Sequence, residues 1–168
     1  MIDKLTRVSP TLRSCCGALL FLALLPWAAA AQGTGTRYIN PKGLIKPTGY
    51  THLVIAPDGR TVYIAGQVAF DSTGKVVGEG DFTAQAEQVF RNLKRALESV
   101  GGSMADLVKT TTFVTDIKHV PALRDIRARY LDETQPPANT LVAVSSLARA
   151  ELMIEIEGVA VLHSIVRQ

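Results

Sequence analysis

The chain has 168 residues, of which 47% are hydrophobic and 20% charged, and its net charge is +3. This length is enough for a single domain with a real hydrophobic core. The basic residues are scattered among acidic ones, and no basic stripe is interleaved with aromatic side chains, so the charge pattern gives no support for nucleic-acid binding.

The start of the chain has the pattern of a secretory signal peptide. Lys4, Arg7 and Arg13 form a basic region, the apolar run at 19–25 is too short for a membrane span, and small residues at 28–31 suit a cleavage site. We therefore expect a periplasmic or secreted mature protein with no membrane attachment after cleavage.

Cleavage is expected after Ala30 or Ala31; the alternative is an uncleaved signal anchor, against which Pro26 and the alanine-rich end argue. Cys15 and Cys16 lie inside the removed segment, so the mature chain has no disulfide framework and no thiol chemistry. Removal also takes away three basic residues and one acidic residue, so the net charge falls from +3 to +1.

Two short β-rich runs come next, at 52–56 and 61–65. The Pro-Asp-Gly turn at 57–59 between them predicts a β-hairpin. A second turn at 72–74 leads into a short third run at 75–77.

From residue 82 the spacing of the apolar residues changes to that of a helix. Apolar residues at helical spacing predict an amphipathic helix over 82–100, with Asp81 or Thr83 as its N-cap. A strand rich in Thr and Val follows at 107–115, and a second amphipathic helix is predicted at about 120–131.

Two strands are predicted near the end of the chain, at 140–144 and 152–161. Side chains alternate along a strand, so Glu155 and Glu157 share one face of the second strand while isoleucines occupy the other. These carboxylates must be paired, hydrogen-bonded or wetted. They belong either to an edge strand with a solvated face or to the wall of a cleft.

This order of elements predicts an α+β fold, with one domain made of a mixed β-sheet and two helices on one face. The opposite face is too apolar to be left wet and too polar to form an ordinary core. Self-association that buries this face and leaves clefts around the carboxylates is the expected solution.

From about Tyr50 to Val161 the chain resembles the Rid family (RidA/YjgF, reactive-intermediate imine/enamine deaminases, also labelled endoribonuclease L-PSP). The resemblance is carried by PPAN, IAGQV, KTTTFVTD and IEIEGVA, which stand in the family's order and spacing. It implies a chorismate-mutase-like fold and a homotrimer with clefts between subunits. It also implies hydrolysis of imines and enamines to keto acids and ammonia with no cofactor. Under this interpretation the chain divides into a signal peptide at 1–31, a tail and first strand at 32–48, and a Rid domain at 49–168.

The same resemblance assigns roles to particular residues. Glu155 would hold and activate the attacking water, Gly66 would let the backbone approach the ligand closely, and Tyr50 would close the cleft. Asn139 stands where the family's deaminases carry the arginine that clamps the substrate carboxylate. Arg127 stands where those deaminases commonly have an asparagine, so the two side chains are either exchanged, or Arg127 is simply one of three arginines on a solvated helix.

Two functions remain open at this point. The first is an exported enzyme that hydrolyses imines or enamines with an atypical substrate preference. The second is a non-catalytic trimeric module that binds small metabolites or carboxylates. No metal site is expected, since His52, His119 and His163 lack the spacing of metal ligands, and the near-neutral mature surface does not support the endoribonuclease label.

Overall fold

A computed structural model describes residues 35–163 of the chain, so the predicted signal peptide at 1–31 lies outside the described residues. Two helices and six strands follow in the order β1 Arg37–Ile39, β2 Leu53–Ile55, β3 Arg60–Gln67, α1 Phe82–Glu98, β4 Leu107–Val114, α2 Val120–Arg127, β5 Ala138–Ala143 and β6 Ile154–Leu162. Within the described range, no helix has the length and apolar character needed to cross a bilayer.

The main sheet is mixed, as predicted. Its strand order is β3-β6-β4-β5; β4 and β5 are parallel and joined through α2, while the other neighbours are antiparallel. β1 and β2 form a separate antiparallel pair, which is tied to the start of β5 through a bridge between Thr51 and Ala138. Two helices packed on a mixed sheet confirm the predicted α+β fold class.

The core lies between the helices and one face of the sheet. The apolar stripe of α1 is almost completely buried and meets the alternate residues of β6 that point the same way, namely Phe82, Ala86, Val89, Phe90, Leu93 and Leu97 against Ile154, Ile156 and Ala160. Burying each large aliphatic or aromatic side chain stabilises the fold by about 1.5–3 kcal/mol. Asp81 provides the N-cap, since its carboxylate accepts a hydrogen bond from the Ala84 amide at 3.1 Å.

Amide side chains of α1 hold the loops that lead into the sheet. Gln85 is fully buried; its Nε2 donates to the Glu151 carbonyl at 2.7 Å, and its Oε1 accepts from the Met153 amide at 2.8 Å. Asn92 donates to the Phe70 carbonyl at 2.8 Å. Since Met153 precedes β6 directly, Gln85 fixes where β6 begins and thereby where its carboxylates lie.

Three local predictions were wrong. The runs on either side of the turn at 57–59 do not form a hairpin, because β2 pairs with β1 while β3 pairs with β6. The run at 75–77 forms only an isolated bridge, between Phe70 and Val76. The second helix ends at Arg127, four residues before the predicted end, and the chain continues as a turn.

The face of the sheet opposite the helices exposes apolar and acidic side chains together. Tyr63 is 82% exposed and Val142 39% exposed, and Glu155 and Glu157 stand on the same face of β6. A shallow groove of about 410 Å³ crosses this face beside Tyr63 and Glu157. This face therefore has the mixed apolar and acidic composition that the sequence predicted.

Candidate functional site

Arg127 is the last residue of α2, and its side chain is half-buried, whereas Arg124 and Arg129 are exposed. The guanidinium lies against Gly49, where a Cβ atom would overlap it. Gly49 has φ +73°, a left-handed conformation that glycine adopts without a steric penalty. Within residues 35–163, no carboxylate is close enough to form an ion pair with Arg127. The Arg127 side chain is therefore less exposed to solvent than those of Arg124 and Arg129.

Arg127, Asn139 and Tyr50 line one cavity of about 380 Å³ between α2 and the edge of the sheet. The rest of its wall is mainly apolar and comes from six residues, namely Ile117, Val120, Leu123 and Leu141 together with Thr48 and Arg124. A mostly apolar cavity of this size with a few polar groups has the dimensions of a small-molecule site.

Two buried threonines of β4 hold Asn139 in one orientation. Thr110 and Thr112 each donate a hydroxyl hydrogen bond to Asn139 Oδ1, at 2.9 and 3.2 Å. The carbonyl end of the amide is therefore occupied, and the NH₂ end remains as a neutral donor for a ligand.

Tyr50 is placed beside the cavity by its neighbour Thr51. Thr51 is 2% exposed; its hydroxyl donates to the Pro136 carbonyl at 2.7 Å and its amide to the Pro137 carbonyl at 3.3 Å. These bonds fasten the segment that carries Tyr50 to the start of β5. The Tyr50 ring packs edge-on against His52, with ring centroids 5.3 Å apart.

The electrostatics around Arg127 favour an anion. Burial lowers the pKa of its guanidinium below the ordinary value, the positive charge of Arg124 lowers this pKa further, and Glu133 partly offsets both. A half-buried cation beside a second cation has lost part of its hydration without gaining an ion-pair partner. A bound carboxylate would supply that partner.

Glu155 and Gly66 come together on the other face of the sheet. β3 carries one extra residue between Ile64 and Gln67 relative to β6, and this bulge contains Gly66. The Glu155 carboxylate lies where a side chain on residue 66 would stand, so a larger residue at 66 would displace the carboxylate from this position. Because residue 66 has no side chain, the Glu155 carboxylate can lie directly against the backbone of β3.

The predicted site residues therefore form two groups. Tyr50, Arg127 and Asn139 share the cavity beside α2, whereas Glu155 and Gly66 lie on the sheet face that the helices leave uncovered. One subunit does not bring the proposed base and the proposed clamp together.

Sequence reasoning missed Arg124, which lines the same cavity as Arg127. The spacing of three residues is a signal that could have found it, because side chains at i and i+3 share one face of a helix. Arg129 is two positions beyond Arg127 and instead forms an ion pair with Glu87. In the part of the chain that the structure describes, no three His, Cys, Asp or Glu side chains converge as metal ligands do.

Replacing Gly49 with alanine tests the approach of Arg127. Gly80 has a similar φ, +75°, but open space around it, so Gly80→Ala is the matched control. Both variants should lose about 1–2 kcal/mol of unfolding free energy, because a side chain is disfavoured in the left-handed region. Butyrate serves as a simple carboxylate probe of the cavity. Only Gly49→Ala should also weaken butyrate binding, because the methyl group of the introduced alanine would displace the Arg127 guanidinium.

Urea unfolding and isothermal titration calorimetry would measure these two effects separately. Butyrate affinity that is the same in both variants would show that the position of Arg127 does not depend on Gly49.

A known protein family matches most of the chain. The family model described as endoribonuclease L-PSP matches residues 44–162. The RutC family protein slr0709 of Synechocystis is 38% identical over 117 residues, which are 69% of this chain and 88% of that protein.

Solved structures agree with the fold. The Rid-family protein YyfB from Yersinia pestis superposes with a TM-score of 0.70 at 40% identity, over 76% of this chain and 99% of that one. RidA from an Antarctic Psychrobacter gives a TM-score of 0.57 at 37% identity, over 64% and 85% of the two chains.

The fold and these matches define a small α+β domain of the YjgF type. The chain belongs to the endoribonuclease L-PSP family, which is the Rid family. Membership supports a general role in imine deamination or small-molecule binding.

Proposed function

We propose that this protein is an exported hydrolase of imines or enamines that carry a carboxylate, and that it works without a cofactor. The observation that carries the proposal is the half-buried Arg127, which has no ion-pair partner among residues 35–163 and lines one cavity with Asn139 and Tyr50. A guanidinium fork matches a carboxylate in a bidentate fashion. Arg127 thus takes the clamping role that the family's strand arginine has, and Asn139 adds a neutral donor.

The water-activating group is Glu155. Its carboxylate takes a proton from water while the water oxygen bonds to the imine carbon, and the proton passes to the nitrogen. The hydroxyl proton of the resulting carbinolamine then moves to its nitrogen as the carbon–nitrogen bond breaks, so that ammonia leaves and the carbonyl forms. The overall change adds one water to one imine and yields one carbonyl compound and one ammonia.

Arg127 and Glu155 meet when subunits assemble. In our proposal a homotrimer packs the uncovered sheet face of one subunit against the cavity side of the next, so each cleft takes Arg127 from one subunit and Glu155 from its neighbour. The exposed Tyr63 and Val142 on that face favour burial by another copy.

The atypical substrate preference follows from the exchanged pair. With the cation on α2 and the amide on β5, the carboxylate binds from a different direction than it would on a strand arginine. The orientation of the imine carbon toward the attacking water depends on where that carboxylate is held.

Export is the second part of the proposal, and it rests on the basic and apolar pattern of residues 1–31. We expect the mature protein to begin near Ala31 or Gln32 and to be recovered outside the cytoplasm. Mass spectrometry of the N-terminus after cell fractionation measures this directly. An intact Met1 in the cytosolic fraction would contradict export.

A non-catalytic binding module is the alternative, and one observation favours it. Asn139 replaces the arginine that the family's deaminases carry, so the cavity could hold a carboxylate without aligning an imine for hydrolysis. Its predicted behaviour is carboxylate binding with no turnover.

Ammonia release from enzymatically generated imines separates the two functions. The panel should pair imines that have a carboxylate with otherwise similar imines that lack one, and spontaneous hydrolysis should be subtracted at each concentration. Faster release from the carboxylate-bearing imines supports the hydrolase. No acceleration of any imine, together with measurable butyrate binding, would favour the binding module.

A further inference from the structure

The cavity beside α2 contains two cations and no anion. Arg124 and Arg127 both line it, and none of its lining residues is acidic. Neither arginine forms an ion pair within residues 35–163. By contrast, Arg91 and Arg129 both pair with Glu87, which does not line the cavity.

The two arginines stand in different surroundings. Arg127 is half-buried against Gly49, whereas Arg124, one turn earlier on the same helix, is exposed. Arg124 is therefore the more accessible of the two arginines. Two guanidinium groups in such different surroundings suit two separate anionic groups better than one compact anion.

The acidic residues of this region do not neutralise the cavity itself. Asp132 and Glu133 line a smaller neighbouring cavity of about 90 Å³, to which both arginines also contribute. They would repel an anion that approached from that side. The part of the cavity wall made by Ile117 and Val120 carries no acidic side chain.

We propose that the ligand of this cavity is a small dicarboxylate, with one carboxylate on Arg127 and Asn139 and the second on Arg124. The apolar wall would contact the carbon chain between the two carboxylates. This inference rests on the proposed function, because it names the substrate class of the same site: imines or enamines that bear two carboxylates.

Succinate and butyrate form the matched pair of probes, because both have four carbons and only succinate has a second carboxylate. Isothermal titration calorimetry on the assembled protein should show succinate binding about ten-fold more tightly than butyrate, as expected for one added charge-assisted contact. Arg124→Ala should remove this preference, because the second carboxylate of succinate then has no cation to bind. Arg127→Ala should weaken binding of both.

Arg95→Ala is the control variant, since Arg95 is an exposed arginine on α1 that does not line the cavity. It should keep the full preference for succinate, so a general loss of positive charge is distinguished from a loss at the site. Inorganic phosphate serves as the compact dianion. Displacement of butyrate by phosphate as effectively as by succinate would mean that the two arginines converge on one anion, which overturns the proposal.

Equal binding of succinate and butyrate to the parent protein would also overturn it, as would an unchanged preference in Arg124→Ala. These measurements use ligands that do not react, so they are independent of hydrolysis. Failure of the dicarboxylate preference leaves imine hydrolysis unaffected, and failure of hydrolysis leaves the preference measurable.

Discussion

Glu155→Gln is expected to slow imine hydrolysis by about 10²–10⁴-fold, the usual contribution of a positioned general base. Glutamine keeps the size of the side chain and its passage over Gly66 but cannot accept the proton from water. Carboxylate binding should be retained, because Arg127 and Asn139 hold the carboxylate and Glu155 does not. Ammonia release measures the rate, and butyrate titration measures binding.

Glu157→Gln is the matched control, since Glu157 is two residues further along the same face of β6 and is exposed. It should retain the parental rate. An equal loss in both variants would show that the negative charge of this face matters and not the position of Glu155.

Mixed assemblies test whether the site joins two subunits. Glu155→Gln and Arg127→Ala should each be inactive alone. When the two are co-assembled in equal amounts, about a quarter of the interfaces should combine an intact Arg127 with an intact Glu155 from the neighbour, and this fraction of the activity should return. Two inactive variants that stay inactive when mixed would contradict a shared cleft.

Arg127→Ala is expected to weaken carboxylate binding by about ten- to more than a hundred-fold, which corresponds to a lost charge-assisted contact of roughly 1.5–3 kcal/mol. The oligomer should remain intact, because exposed apolar side chains such as Tyr63 and Val142, and not Arg127, favour the proposed assembly. Titration calorimetry gives the affinity, and light scattering gives the mass of the assembly.

The reverse exchange extends this test. Asn139→Arg combined with Arg127→Asn restores the arrangement of the family's deaminases and should create or raise activity on 2-aminoacrylate. Arg95→Ala is the charge control for Arg127→Ala, because it also removes one arginine but lies outside the cavity. If Arg127→Ala binds butyrate as tightly as the parent does, Arg127 is a surface charge and the cavity suits uncharged ligands.

Much of the fold was predictable because the signals are local. The apolar spacing of α1 and the alternation along β6 depend only on backbone geometry, and both were confirmed, including the placement of Glu155 and Glu157 on one face of the strand. The family motifs added the positions of the candidate site residues. These signals determined the fold class, the helices and the polarity of each face.

Strand partners, in contrast, were not predictable from the turn at 57–59. A Pro-Asp-Gly turn favours pairing of the runs on either side, but β2 pairs with β1 and β3 pairs with β6 instead. Hydrogen bonds from Thr51 to Pro136 and Pro137 then tie the β1–β2 pair to the start of β5. Such bonds join residues far apart in the chain, so no local pattern reports them.

By itself, then, the sequence determined which side chains alternate within each element, the single α+β domain and the family. Only the tertiary structure decided that Asn139 and Glu155 lie on opposite faces of the sheet. The strand register across β4 sets this arrangement. Thr110 lies opposite Asn139 in β5 and opposite Gly158 in β6, so these three residues point to the same face of the sheet. Glu155 is three residues from Gly158 along β6, so it points to the other face. The contact between Arg127 and Gly49 was also decided only by the tertiary structure. Strand register and this contact both depend on residues that are far apart in the chain and come together on folding.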